Sequence, residues 1–214
     1  MTFGFYKTWI DILLYKTKPA DIADTSLGEG LKHLVIATII VGALSGIYFM
    51  LAWEQITSPV ISANPGIVGA IVSAITTPIL AVILAFISTG IFWVIAKIFG
   101  GKGSYGKYLG TLALINAALI GTVQAAFSII GIVAALAGAA VALFSLLSSF
   151  PVNIIQLILF VYGIFLFVKA TQAVHRVSVA RAVAIVLVTI IIITVITLVV
   201  LLAQIVAFLP TLMR

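Results

Sequence analysis

Read for hydrophobic and polar positions alone, the chain divides into five long apolar runs separated by short polar connections. The runs cover about 33–53, 66–99, 108–133, 153–173 and 182–209. Each is long enough for an α-helix rising about 1.5 Å per residue to cross roughly 30 Å of hydrocarbon. The runs are continuous and do not alternate over about ten residues, which argues against a transmembrane β-barrel. The pattern predicts an all-α, polytopic integral membrane bundle of five transmembrane helices. The second run exceeds one crossing, and Pro78 within it is expected to kink the helix or split off an interfacial first piece. The uncharged stretch 134–150, "AALAGAAVALFSLLSSF", is expected to be re-entrant or interfacial rather than a sixth span.

Residues 1–32 are polar enough to stay outside the bilayer core and form a cytoplasmic N-terminal segment ahead of a transmembrane domain, 33–214. Phe5, Trp9, Ile12 and Leu13 recur at helical spacing, with Lys7, Asp11 and Lys16 mostly elsewhere on the wheel. That pattern fits an amphipathic interfacial helix with Trp9 at headgroup level. It fits equally a helix packed on the rest of the domain. Pro19 ends this helix, and Ser26 with Glu29 makes an S-x-x-E box opening the next. No apolar core precedes an A-x-A site, so the N-terminus does not read as a signal peptide.

Charge orients the spans. Only 7% of residues are charged and 64% are hydrophobic, against about 25% and 45–50% in a soluble domain. All five acids (Asp11, Asp21, Asp24, Glu29, Glu54) precede Gln55. The bases cluster in connections: Lys7, Lys16, Lys18 and Lys32 before the first span, Lys97, Lys102 and Lys107 before the third, Lys169, Arg176 and Arg181 before the fifth. With the N-terminus inside, all three clusters face the cytoplasm and only Arg214 lies outside. The positive-inside rule therefore favours five crossings, N-terminus cytoplasmic and C-terminus outside. Such clusters suit anionic lipid headgroups, and no nucleic-acid-binding module accompanies them. The expected location is a membrane, multi-pass: the plasma membrane of a prokaryote or an endomembrane of a eukaryote.

The densest chemistry is "KIFGGKGSYGKYLG", residues 97–110. Gly101 to Gly106 matches G-x-G-x-x-G, but an apolar helix precedes it and no ribose-binding acid follows. Gly101 to Lys107 begins a P-loop pattern, but Tyr108 stands where a hydroxyl would hold magnesium. The stretch reads instead as a tight cytoplasmic turn shaped by Gly100, Gly101, Gly103 and Gly106. Lys97, Lys102, Lys107 and Tyr105, with Lys169, Arg176 and Arg181, are the candidate lipid- or partner-binding residues. Asn116, Gln124 and Gln156 are intramembrane polar candidates, either bonding between helices or lining a solute path. Gly42 and Gly46 form a GxxxG. Ala113, Ala117, Gly121 and Ala125 form a small-residue stripe, a packing seam within or between subunits. There is no cysteine, His33 and His175 lie at span edges, and no serine has a base beside it. No metal, cofactor or enzymatic activity is expected.

"IFGGKGSYGKYLGTLALINAALI" resembles the loop and third helix of the Yip1 domain family. "LLYKTKPADIADTSLGEGLKHLVIATII" is similar to that family's lead-in. "VKATQAVHRVSVARAVAIVLV" resembles its "vHgvs…kA" turn through Val174, His175, Val177, Ser178, Arg181 and Ala182. The resemblance runs from about Leu13 onward. It implies five spans, a cytoplasmic N-terminus, and a non-enzymatic scaffold or adaptor in membrane organisation or trafficking, self-associating or binding other membrane proteins. The long cytosolic extension of eukaryotic members is missing, so their Rab-GTPase binding is not carried over and a short prokaryotic-type member is expected. The alternative is a small transporter or channel with a polar path through spans two to four.

Overall fold

The computed structural model describes residues 4–17, 19–56, 66–139 and 150–212, and every regular element among them is a helix. The order is α1 (Gly4–Leu13), α2 (Pro19–Ala23), α3 (Leu27–Ile56), α4 (Gly66–Ile98), α5 (Tyr105–Ala118), a π-helical segment (Leu119–Gln124), α6 (Ala125–Leu136), α7 (Phe150–His175) and α8 (Val179–Leu212). Five stretches are long and apolar enough to cross a membrane: Leu27–Ala52, Gly66–Ile98, Tyr105–Leu136, Ile154–His175 and Val179–Gln204. They are the five runs read from the sequence. Of the predicted re-entrant stretch, residues 134–136 belong to α6, and 140–149 lie outside the described residues.

Local chemistry sets the helix ends. The Ser26 hydroxyl accepts from the Glu29 backbone N–H at 3.2 Å, as the S-x-x-E pattern predicts. The Glu29 carboxylate reaches forward, to His33 at 3.1 Å and Lys32 at 3.9 Å. α3 thus begins at Leu27, ahead of the expected start at His33. Of the two expectations for Pro78, the split is not seen, because α4 runs unbroken through the proline. A neighbouring helix supports this stretch, as membrane helices with internal proline require. Gly42 of α3 sits against Ser73, Ala74 and Thr77, and Gly46 against Ala70.

Glycine determines how closely the helices approach. A Cβ added at Gly30 would lie 2.0 Å from the carbonyl oxygen of Gly110, so α3 and α5 cross almost backbone to backbone. The stripe Ala113, Ala117, Gly121 and Ala125 is buried within the chain. At Gly121 an added Cβ would lie 2.5 Å from the Trp9 ring. The GxxxG and the stripe are therefore seams inside one subunit.

α1 packs through its apolar face on the bundle, with Trp9 0% exposed. Trp9 is therefore enclosed by protein. Its indole N–H donates to His33 Nδ1 at 3.0 Å. Since Nδ1 accepts, the neutral ring carries its proton on Nε2, which donates to Glu29 at 3.1 Å. Further hydrogen bonds tie the segment down. The Tyr162 hydroxyl donates to the Leu13 carbonyl at 2.7 Å, and that of Thr111 to the Ile22 carbonyl at 3.1 Å. Ile12, Ile22 and Ala23 join the same core as α5 and α7. At the other end of the chain, α8 packs on α4 and α7, but residues 194–204 are exposed on every face.

Candidate functional site

Two turns of the same design meet at one end of the bundle. α4 stops after Ile98, and Gly100 takes a left-handed backbone angle, φ +81°. The Gly100 and Gly101 N–H groups then donate back to the carbonyls of Lys97 (3.0 Å) and Ala96 (2.7 Å), closing the helix end. α7 stops at His175, where Arg176 takes φ +54°. Each turn ends on a serine that caps the next helix. The Ser104 hydroxyl accepts from the Lys107 N–H, and that of Ser178 from the Arg181 N–H, both at 3.4 Å.

The turns dock on one another. The Lys102 N–H donates to the His175 carbonyl at 3.0 Å. An added Cβ would lie 2.7 Å from His175 Nδ1 at Gly101, and 2.7 Å from the Val174 carbonyl oxygen at Gly103. Any side chain at either position would part the turns. Beneath them His175 is 0% exposed, edge-on to Tyr108 with ring centroids 4.5 Å apart. The Tyr108 and Thr171 hydroxyls pair at 2.6 Å. Among the described residues neither ring nitrogen of His175 has a hydrogen-bond partner, a deficit of about 1–3 kcal/mol that the surrounding packing offsets. Trp93 braces the glycine turn through an N–H donated to the Gly103 carbonyl at 3.2 Å. Tyr105 donates its hydroxyl to the Phe86 carbonyl at 2.9 Å. Gly106 has nothing within 4 Å of an added Cβ, so no close approach requires glycine there.

The candidate bases fall into two groups. Lys97 lies over the Trp93 ring at 5.4 Å and Lys169 over Phe165 at 5.7 Å. Lys107 pairs with Asp24 at 3.1 Å. With the partners 59% and 79% exposed, this bridge contributes at most about 1 kcal/mol, yet it offsets the local charge. Lys102, Arg176 and Arg181 are exposed and have no carboxylate within bridging distance among the described residues.

A left-handed backbone costs a non-glycine residue about 1–2 kcal/mol. The variant Arg176→Gly is therefore expected to raise the melting temperature while removing one base from this surface. Thermal unfolding in detergent checks this; an unchanged or lower midpoint would show that the Arg176 side chain stabilises the turn by other contacts.

Gln124 and Gln156 line one open groove of about 340 Å³ with Leu119, Ile120, Val123, Phe127 and Leu159. Asn116 is half-buried and does not line it. The π-helical segment lies between Asn116 and Gln124. Its wider turns break the rule that residues eight apart share a helix face. Sequence reading also missed the burial of His175 and the two serine caps. A serine standing directly ahead of each helix, Ser104 and Ser178, was the available signal for the caps.

The Yip1 domain family model matches residues 17–202. Neither the curated proteins nor the solved structures yield a match. The matched region contains both docked turns, four of the five membrane-length helices and all but the last two residues of the fifth, Val179–Gln204. The chain belongs to the Yip1 domain family.

Proposed function

We propose that this protein is a non-enzymatic membrane scaffold or adaptor whose working surface is the pair of basic turns. They face the cytoplasm, where they bind anionic lipid headgroups or a partner protein, and the subunit self-associates. The observation that carries this reading is the docking of Gly101 and Gly103 onto the His175 turn. Docking makes one fixed basic surface from two connections, and a preorganised surface loses less entropy on binding than mobile loops would. Near an anionic membrane each free base contributes about 1 kcal/mol.

The test is lipid recovery with protein purified from membranes of mixed anionic and zwitterionic lipid. Wild type is expected to carry anionic lipid above its bulk fraction, and Lys102→Glu with Arg176→Glu to return it to that fraction. Lys107→Glu should act more weakly, because Asp24 already offsets Lys107. Equal recovery from wild type and the double variant would end the lipid-binding form of the reading. The groove holding Gln124 and Gln156 supports a second reading, a small transporter. That reading requires solute flux in proteoliposomes that Gln124→Leu with Gln156→Leu abolishes.

A further inference from the structure

The free bases stand on adjoining turns. Lys102 is held by its backbone on the His175 carbonyl at 3.0 Å, and Arg176 is the next residue along. Arg181 Nη1 lies 3.8 Å from the Cβ position of Gly100, in the same glycine turn as Lys102. The three come from two connections far apart in sequence, and the seam between the turns brings them together. No acid follows Glu54 in the chain, and the nearby Asp24 is engaged by Lys107. Apolar side chains flank the seam, with Ile98 76% and Val179 49% exposed. A ligand there has cations at one end and hydrocarbon-facing helices at the other.

We infer that this seam is a single site for the phosphomonoester headgroup of a membrane lipid, gripped jointly by Lys102, Arg176 and Arg181 and positioned by His175 beneath. The inference rests on the lipid-binding form of the proposed function and deepens it. A phosphomonoester offers three acceptor oxygens and up to two negative charges, whereas a phosphodiester offers two free oxygens and one charge. Arginine binds such groups through paired N–H donors and lysine as a point charge. Three uncompensated bases at one seam suit the doubly charged group. The exposed Ile98 and Val179 beside it favour a lipid over free phosphate.

The experiment is native mass spectrometry of the detergent-purified full chain, titrated separately with phosphatidic acid, phosphatidylglycerol and phosphatidylcholine. Wild type should bind phosphatidic acid at least tenfold more tightly than phosphatidylglycerol. Lys102→Gln or Arg176→Gln alone should remove that preference, and the double change should add little, because the grip is joint. Gly103→Val should also remove it while all three bases remain. Lys107→Gln should leave it intact. These glutamine changes lie at exposed positions and a thermal melt verifies their fold, so they decide the matter even if Gly103→Val does not fold. Equal binding of the two anionic lipids, with additive losses from each base, would overturn the joint site yet leave the general lipid-binding reading standing. No preference for either anionic lipid over phosphatidylcholine would remove both. Full displacement of phosphatidic acid by millimolar inorganic phosphate would overturn the lipid as the ligand's source.

Discussion

Replacing Trp9 with alanine is expected to cost about 3–5 kcal/mol, the range for emptying a fully buried tryptophan site. The indole is 0% exposed, presses on Gly121 and supplies the N–H that His33 Nδ1 accepts. α1 has only 10 residues, too few to be stable as a helix in water without packing. The loss should therefore show first as release of α1, with amide exchange over residues 4–13 rising while α3 and α4 keep their protection. Trp9→Phe should retain more of the docking, since it keeps an aromatic ring while losing the donor and part of the ring volume. Unchanged exchange in α1 for Trp9→Ala would mean that other contacts hold the segment.

The second large effect is expected at the α3–α5 crossing. In Gly30→Ala the new methyl would start 2.0 Å from the Gly110 oxygen, against an ordinary contact of 3.4–4 Å. Both sides are backbone, so no side-chain rotation relieves the clash and the helices must separate. Overpacking of this kind costs about 3 kcal/mol at the upper end of its usual range. Alanine recovers about 1 kcal/mol of helix propensity relative to glycine, leaving a net loss of about 2 kcal/mol. Gly28→Ala is the matched control, because nothing lies within 4 Å of its Cβ position. It should be neutral or slightly stabilising. Equal melting temperatures for the two variants would show that the crossing is looser than the geometry indicates.

The five spans were legible because hydropathy over about 20 residues depends on burial in lipid and not on which helices are neighbours. The Ser26 cap was legible because its partner, Glu29, lies three residues away. What depends on distant residues was not. The wheel of α1 shows an apolar face but does not say whether that face meets lipid or protein; only the positions of Gly121 and His33 make it protein. The lysines of the glycine turn looked alike until Asp24 came to rest on Lys107. The role of Gly101 and Gly103 emerges only with His175 beside them. Nor does the local pattern mark the π-helical segment Leu119–Gln124, which shifts the helical period between Asn116 and Gln124.

The joined turns also carry a consequence for biosynthesis. The glycine turn leaves the ribosome well before α7 and the start of α8, which supply its counterpart. Until that closing hairpin is in place, Gly101 and Gly103 lack the His175 turn that they dock on. A half-made chain can therefore be inserted and helical yet still lack the combined surface, so display of that surface marks a chain made at least through the start of α8.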